Sequence, residues 1–433
     1  MGYSHRPMVP QGEGPAPAVP FWKEPTKAQW TNALAAWAGW VLDGFDFCIF
    51  LFAMKDIAVE FGVTYVATAL SVTLTLLLRL AGGLAAGWLS DRRGRRLPLI
   101  ISILWFAACD GAVAFAPTFG WVLFLRTLFG FGMGAEWTSG AALAMESWPA
   151  RSRGLFSGIL QGSFGIGYVL AAFAYAAVGP QHWRSLFLIA ALPALLVVPI
   201  RLLVREEGPQ RRPPASLRNL EGAGPGLTTR LVWACLLYGA SFGVYYALTG
   251  LWPTLLMTEL GLSPTALRLP ALLFNLGMLC GSVAVGAAAG RFGVVRAQVV
   301  PLALLLFVLP LYVGVVPGGL WLGALLAGSL GPGISGVTPY LFAALFPPEV
   351  RARGFGVVYH VGALLSAQTP LLVATLNRAG GIPLSWALGG TAAGAALLTM
   401  ALLAFRPRGV LPDEVLGRRP TTHTAPPATW RRG

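Results

Sequence analysis

Two carboxylates, Asp43 and Asp46, stand three residues apart inside a long run of apolar residues. On a helix this spacing places both side chains on one face. In an apolar environment two such anions lose hydration and repel each other, so we expect at least one of them to bind a proton near neutral pH. The alternative is a structural pair that hydroxyl or backbone groups of neighbouring segments satisfy. Together with Glu136, in a later apolar run, they are the candidate proton-binding residues.

Two arginines, Arg79 and Arg126, also lie inside apolar runs. A charged side chain at such a place costs about 2.5–3.5 kcal/mol, so it persists only beside a partner or a water-filled cavity. A guanidinium can donate two parallel hydrogen bonds to a carboxylate, which makes both residues candidate anchors for an anionic ligand. For Arg126, which stands only five residues past Trp121, the alternative is a side chain that reaches the surface of the apolar layer.

Uncharged polar side chains could complete a binding site for such a ligand. The candidates are Tyr245, Tyr246, Asn275, Tyr340, His360 and Gln368. His360 could also carry a proton, but it stands near the start of its apolar run, where a packed histidine is the alternative. The C-terminal part of the chain has no clear acid inside an apolar run, so we expect proton binding in the N-terminal part.

The elements that must position these residues are apolar runs of about 20 residues, the length of helix that crosses about 30 Å of hydrocarbon. Of the 433 residues, 56% are hydrophobic and 11% are charged, whereas soluble proteins have roughly 25% charged residues. This composition excludes a water-soluble enzyme and predicts an all-α polytopic membrane protein. The twelve expected transmembrane helices are 30–54, 64–88, 97–116, 120–145, 154–178, 184–204, 229–256, 268–289, 298–316, 319–345, 354–376 and 383–405.

The net charge of +14 follows the order of these spans. Outside the spans, nearly all Lys and Arg fall in alternate connections and in the two tails, on one side of the membrane. The exceptions are Lys55, Arg184, Arg268 and Arg378. Since cytoplasmic loops are rich in Lys and Arg, we expect a multi-pass protein of the plasma (inner) membrane with both termini in the cytoplasm. The basic balance is therefore attributed to topology and not to nucleic-acid binding.

The sequence contains an internal repeat with an offset of about 200 residues. Residues 150–154 (ARSRG) match 350–354 (VRARG), and residues 87–94 (GWLSDRRG) match 286–293 (GAAAGRFG). Two homologous six-helix halves are common in secondary transporters, and we expect two pseudo-symmetric bundles here. The predicted organisation is a polar tail 1–29, a bundle 30–204, a central cytoplasmic loop 205–228, a bundle 229–405 and a polar tail 406–433.

Residues 87–96 (GWLSDRRGRR) resemble the GxLxDRxGRR loop between spans 2 and 3 of the major facilitator superfamily, and 126–132 (RTLFGFG) resemble its RxxxGxG motif. The resemblance implies that Asp91 helps to hold the cytoplasmic side closed while the other side is open. The second copy has Gly290 instead, so we expect a weaker latch there. The residues expected to take part in gating are Gly87, Asp91, Arg92, Gly94, Arg95, Arg96, Glu146, Arg151, Arg153, Arg351 and Arg353.

The segment from Asp43 to Asp46 (DGFD) is similar to that of metabolite:proton symporters for sialate, monocarboxylates of the lactate or pyruvate type, or aromatic acids. Residues 79–83 (RLAGG), 134–137 (GAEW), 146–149 (ESWP) and 351–354 (RARG) are also similar, although Leu80 replaces a proline and Ala344 replaces a common glutamate. The resemblance implies a transporter that imports a small organic anion together with a proton by alternating access. We expect a monomer in the lipid bilayer.

Two other functions are compatible with parts of the sequence. One is proton-driven efflux of amphipathic compounds, but the fifth span lacks the Gly-Pro pair typical of drug:proton antiporters, which favours uptake. The other is a membrane scaffold or sensor, which would not explain the charged residues inside the spans. The chain has no P-loop, no hydrolase motif and no cysteine spacing typical of metal sites. We therefore expect no enzyme activity, no cofactor and no metal.

Overall fold

The computed structural model describes residue 20 and residues 22–179, 182–204, 226–263, 266–413 and 415–417. Every regular element within these ranges is a helix. The first half contains α1 (Lys27–Phe61), α2 (Tyr65–Arg93), α3 (Arg96–Val113), α4 (Phe119–Ser147), α5 (Arg153–Val178) and α6 (Trp183–Leu202). The second half contains α7 (Leu227–Thr249), α8 (Trp252–Thr258), α9 (Arg268–Phe292), α10 (Val294–Tyr312), α11 (Leu320–Leu330), α12 (Thr338–Leu345), α13 (Arg351–Ser366), α14 (Thr369–Arg378) and α15 (Leu384–Ala404).

Twelve crossings can be traced through these helices. Among the described residues, ten helical segments are long and apolar enough to span a membrane. The remaining two crossings are α4, which carries Arg126 and Glu136 inside its 29 residues, and α6, whose apolar core is the shorter stretch Trp183–Leu192. The predicted all-α polytopic fold is confirmed.

The two halves pack in the same way. Helix α2 packs on α4 as α9 packs on α11, and α1 packs on α5 as α7 packs on α13. Between the halves, α2 contacts α13 and α5 contacts α9. In the repeat, α2 corresponds to α9 and α5 corresponds to α13, so the second contact is the first one with the halves exchanged. We call the α2–α13 contact the first seam and the α5–α9 contact the second seam.

The helix ends follow from local capping. Thr26 and Gln29 form a reciprocal capping box that starts α1, and Gly62 in the left-handed conformation ends it. At the repeat, Gly94 (φ 90°) ends α2 and Gly293 (φ 85°) ends α9, so both copies use a glycine where a positive φ is needed. One end of the bundle contains the turns at residues 94–95, 148–152 and 346–350. We call it the arginine-rich end.

Three of the predicted spans are broken helices. The span at 229–256 is divided into α7 and α8 near Gly250, and the span at 354–376 is divided into α13 and α14 just before Pro370. The span at 319–345 is interrupted by the 3₁₀ segment Pro332–Val337. A proline has no N–H and its ring clashes with the preceding turn, so a helix tends to break where it occurs.

The predicted tails and central loop lie largely outside the described residues. This applies to most of 1–29, to 205–225 within the predicted loop 205–228, and to 418–433. The beginning of the predicted polar tail 406–433 is packed: Val410, Leu411 and Val415 are buried, and the Val415 carbonyl accepts a 2.8 Å hydrogen bond from the backbone N–H of Val294. These three apolar residues cover the start of α10.

Candidate functional site

Arg79 of α2 lies deep between the two halves. Its Nη2 atom is 3.8 Å from Oδ2 of Asp43 on α1, and both side chains are buried. The guanidinium carbon lies 5.8 Å from the ring centre of Trp40 and 5.1 Å from that of Tyr359. Trp40 belongs to the first half and Tyr359 to the second. Arg79 is therefore held between an acid and two aromatic faces, one from each half.

The Arg79 guanidinium is only partly satisfied by these neighbours. Its Nε and Nη2 atoms are buried and make no hydrogen bond. These two atoms lie on one edge of the guanidinium and form the fork that binds a carboxylate side-on. A buried donor that lacks an acceptor costs about 1–3 kcal/mol. The arrangement can therefore accept an anionic group at that edge.

Arg126 of α4 has a different environment. Its Nη1 atom is 2.7 Å from Oδ1 of Asp110 on α3, and both side chains are almost fully buried. Phe129 and Phe50 cover the guanidinium at 4.0 and 4.7 Å from their ring centres. The alternative in which Arg126 reaches the surface is wrong, because Asp110 provides a buried counter-charge.

Asp110 was not among the candidate residues from the sequence. The signal was present, since Asp110 lies inside the apolar span 97–116, but its partner on the next helix could not be read from spacing. Asp46 on α1 is also buried and interacts electrostatically with Asp110, Arg126 and Asp43. Its Oδ1 atom makes no hydrogen bond. Asp43, Asp46 and Asp110 of the first half thus lie near Arg79 and Arg126.

Glu136 belongs to a separate contact within the first half. It is buried on α4, and its Oε2 atom accepts a 2.8 Å hydrogen bond from the hydroxyl of Ser102 on α3. The neighbouring residue, Trp137, faces the second half instead. Within residues 134–137 (GAEW), the Glu136 side chain therefore connects α4 to α3, and the Trp137 side chain connects the first half to the second.

Trp137 is the centre of an aromatic cluster that closes the space between Arg79 and the arginine-rich end. Its ring stacks on Tyr359 with a centroid distance of 3.6 Å and an interplanar angle of 28°. Phe342 and Phe355 contact it at 6.2 and 6.0 Å. Tyr238 contacts Tyr359 at 5.3 Å. A tryptophan of the first half thus contacts three aromatic rings of the second half, and Tyr238 packs behind Tyr359. We call these five side chains the aromatic plug.

Three of the six predicted polar ligands of the second half lie near Arg79 or beside the aromatic plug. Tyr246 stacks on Phe242 at 5.8 Å and interacts electrostatically with Arg79, while Tyr245 packs beside it. His360 is buried, with Nε2 3.3 Å from the Gly134 carbonyl and 3.4 Å from Oγ1 of Thr138. His360 therefore bridges the halves beside the plug, which supports its packed role.

The other three predicted ligands make contacts at other places. The Asn275 amide donates to the carbonyl of Ala271 on its own helix at 2.9 Å. The backbone N–H of Tyr340 donates to the hydroxyl of Ser157 across the halves at 3.1 Å. Gln368 is exposed at the start of α14.

At the first seam, Asp91 connects the two halves. Its carboxylate accepts hydrogen bonds from the backbone N–H groups of Ala352 and Arg353 at 3.3 and 3.2 Å, and from Nε of Arg353 at 3.0 Å. Nη2 of Arg95 lies 3.4 Å from its other oxygen. An acid at the start of a helix also meets the positive end of its dipole. Asp91 of the first half therefore caps α13 of the second.

Glu146 forms a second link across the halves. Its Oε1 atom is 2.9 Å from Arg95 and 3.4 Å from Arg351 of the second half. Arg95 also donates to the carbonyl of Pro348. With Asp91 and Arg353, these residues form a network that closes the arginine-rich end in this structure. We call this network the latch.

The remaining predicted gating residues support the turns around the latch. A β-carbon added at Gly87 would lie 2.9 Å from Cα of Arg353, so the glycine permits the close contact of α2 with α13. Arg92 covers the ring of Trp88, Arg96 donates to the carbonyl of Leu202, and Arg153 donates to the carbonyl of Trp148. Gly94 ends α2, and Arg151 is exposed beside the second seam.

Within the described ranges, no group of His, Cys, Asp and Glu side chains is arranged to hold a metal ion. The interior contains the pairs Arg79–Asp43 and Arg126–Asp110, and the latch residues join the two halves at the arginine-rich end. Such an arrangement can bind an anion at the Arg79 edge and exchange a proton with a buried carboxylate.

Comparison with known proteins identifies the family. A sequence profile described as Major Facilitator Superfamily matches residues 36–245 and 234–432. The chain is 30% identical over 358 residues to a probable 4-methylmuconolactone transporter of Cupriavidus pinatubonensis, covering 79% of this chain and 82% of that protein. It is 26% identical over 379 residues to the sialic acid transporter NanX of Escherichia coli, covering 85% and 92%.

A solved structure has the same fold. That of the human organic anion transporter MFSD10 (TETRAN) matches with a TM-score of 0.72 at 19% identity, covering 87% of this chain and 100% of that one. The profile match extends over both halves of the chain, including α2 with Asp91 and α13 with Arg353. This multi-pass membrane protein is a transporter and not an enzyme, and it belongs to the major facilitator superfamily.

Proposed function

We propose that this protein imports a small organic anion, a carboxylate, together with a proton, by alternating access. The observation that carries the proposal is the buried edge of Arg79, whose Nε and Nη2 atoms make no hydrogen bond while Asp43 stands 3.8 Å away. A substrate carboxylate that bound this edge would replace Asp43 as the counter-charge. Asp43 would then take a proton more readily, because its stabilising cation would be shared.

The relatives support an acidic substrate. One is named as a sialic acid transporter and the other as a probable 4-methylmuconolactone transporter. The aromatic faces of Trp40 and Tyr359 on either side of Arg79 suit a substrate with a planar or apolar body behind its carboxylate. The same faces would exclude water from the ion pair and strengthen it.

The buried acids of α1 and α3 are suited to carry the proton. Asp46 interacts with Arg126, which forms an ion pair with Asp110. A change of charge at Asp46 would therefore change the electrostatic energy of that ion pair. We infer that the proton binds to Asp43 or Asp46. Glu136, bonded to Ser102, lies in a separate contact and would respond to the movement of α4 against α3.

Alternating access requires the latch and the aromatic plug to open together. The plug lies between the Arg79 site and the arginine-rich end, the latch lies at that end, and both join the first half to the second. We infer that the arginine-rich end faces the cytoplasm, because cytoplasmic ends of membrane proteins collect Lys and Arg. The structure is then closed toward the cytoplasm, the state in which substrate enters from outside.

Uptake of radiolabelled acetate, lactate, benzoate and sialic acid into proteoliposomes tests this function. With the lumen more alkaline than the medium, at least one of these acids is expected to accumulate, and a protonophore should abolish the accumulation. Liposomes without protein provide the control for passive entry of the neutral acids. Proton-coupled uptake is wrong if none of the four acids accumulates above that control. It is also wrong if preloaded acids leave the proteoliposomes faster with this gradient than without it.

A further inference from the structure

The two seams differ at the arginine-rich end. At the first seam, the carboxylate of Asp91 accepts the N–H groups that start α13. At the second seam, the residue equivalent to Asp91 is Gly290, 199 positions later in the repeat. A β-carbon added at Gly290 would meet no heavy atom within 4 Å. The second seam therefore has room for a carboxylate but does not provide one from the repeat.

A cavity of about 290 Å³ lies at this place. Arg151 of the first half and Arg291 of the second half both line it, beside Gly290. Both guanidinium groups carry a positive charge, so an anion in this cavity would reduce their mutual repulsion. The acid among the lining residues is Glu24, which precedes α1.

Glu24 reaches the position that corresponds to the site of Asp91. Its Oε2 atom accepts a 3.0 Å hydrogen bond from the hydroxyl of Ser152, which in turn accepts one from Nε1 of Trp148 at 3.0 Å. With the offset of 200 residues, Ser152 corresponds to Ala352, whose N–H donates to Asp91. An acid of the N-terminal segment thus lies at the start of α5 as Asp91 lies at the start of α13.

We propose that Glu24 supplies the carboxylate that the second repeat lacks, so that residues 22–26 act as a strap over the second seam. In the closed state the Glu24 carboxylate offsets the repulsion between Arg151 and Arg291. When the halves rock apart, Arg291 moves away with the second half and this stabilisation is lost. The strap therefore favours closure of the arginine-rich end, independently of which substrate is carried.

Distances between spin labels test this role on the full-length protein without substrate. Labels at Leu203→Cys and Arg296→Cys, both exposed at the arginine-rich end of opposite halves, are introduced after the four native cysteines are replaced by serine. Pulsed electron–electron double resonance then measures the distribution of distances between the two labels, which gives the ratio of long to short distances. We expect Glu24→Gln to raise this ratio about threefold, the effect of one partly exposed charge interaction. Adding Gly290→Asp, which places an acid in the open position of α9, should return the ratio toward its original value.

The control is Glu60→Gln, which removes an acid of α1 that pairs with Arg184 inside the first half, at the other end of the bundle. This variant should leave the ratio unchanged. Unchanged distances in Glu24→Gln would overturn the proposal. A shift that Gly290→Asp does not reverse would also overturn it, because Glu24 would then act only on the α4–α5 turn through Ser152.

Discussion

Arg79 and Arg126 are both cations inside an apolar layer, but their surroundings differ. Arg126 has a counter-ion at 2.7 Å and two phenylalanine rings over its guanidinium. Arg79 has its counter-ion at 3.8 Å and a buried edge without hydrogen bonds. Arg126 therefore suits a structural or coupling role, and Arg79 suits reversible binding of a carboxylate.

At the residue scale, we predict that Arg79→Ala weakens binding of the transported acid by about tenfold to a hundredfold, the effect of losing a hydrogen-bonded ion pair. Arg79→Lys keeps the charge but not the fork, so it should fall between Ala and the natural residue. The measurement is the KM of uptake in proteoliposomes. Arg268→Ala, an exposed arginine on the surface, is the matched control. An unchanged KM in Arg79→Ala would exclude Arg79 as the anchor.

A second prediction at this scale concerns the proton site. Asp43→Asn and Asp46→Asn keep the size of the side chain but cannot take up a proton. At least one of them should abolish accumulation driven by a pH gradient while retaining exchange of labelled for unlabelled substrate. Asp56→Asn, on the same helix and bonded to Tyr175 outside the buried cluster, should accumulate normally. Gradient-driven accumulation in both buried variants would place the proton elsewhere.

The residue types of the site could be read from the sequence, but not their pairing. Acids and arginines inside apolar runs stand out because burying a charge is costly, and this identified Asp43, Asp46, Arg79 and Arg126. The pair of Arg126 with Asp110 depends on how α3 packs against α4. No spacing within one helix contains that information, so the partner was missed.

At the scale of the helices, glycines determine how closely the two halves approach. Helices α5 and α9 touch through Gly154 and Gly286: a β-carbon on Gly286 would lie 2.5 Å from the Gly154 carbonyl, and one on Gly154 would lie 2.7 Å from the Gly286 carbonyl. Small residues allow such contact between membrane helices. Beside this seam, the hydroxyl of Ser157 on α5 donates to the Gly336 carbonyl of the 3₁₀ segment at 2.7 Å.

We therefore predict that Gly286→Ala separates the second seam and disfavours the closed arginine-rich end. The expected result is a lower rate of uptake and a larger fraction of long distances between labels at residues 203 and 296. Gly290→Ala, one turn further along α9 with no atom near the added methyl group, is the control and should behave as the natural protein. Equal effects of the two substitutions would show that helix propensity, and not contact across the seam, is responsible.

The helices themselves were predicted well where the apolar runs are continuous. The breaks at Gly250 and before Pro370, and the 3₁₀ segment that begins at Pro332, were not assigned. Hydropathy does not register them, since glycine and proline in an apolar run hardly change its average. Whether such a residue bends, breaks or leaves a helix intact depends on the groups that satisfy the exposed backbone.

At the scale of the whole molecule, the internal repeat predicted two pseudo-symmetric six-helix halves. Corresponding helices form the two seams, and the repeat motif places Asp91 and Gly290 at equivalent ends of them. The sequence also indicated that the second latch would be weaker. It gave no indication that Glu24 lies at that seam, because the N-terminal segment is outside the repeat.

The net charge moved in one transport cycle is a property of the whole molecule, because it is the sum of all charges that cross the membrane. One proton carried with one monovalent anion moves no net charge, so the driving force is the pH gradient, about 1.4 kcal/mol per unit, plus the substrate gradient. The membrane potential, about 2.3 kcal/mol per charge per 100 mV, should then add nothing. Because Asp43 and Asp46 interact with each other and share one face of α1, we predict that the pair carries a single proton and that transport is electroneutral.

Proteoliposomes with a fixed pH gradient and a potassium–valinomycin potential provide the measurement. Initial uptake rate and final accumulation of the transported acid should remain nearly the same from zero potential to an inside-negative potential. A reference symporter known to carry net positive charge, reconstituted in the same lipids, confirms that the potential is present. Two protons per monovalent anion would import a net positive charge, so accumulation that rises steeply with the inside-negative potential would rule out the one-to-one ratio.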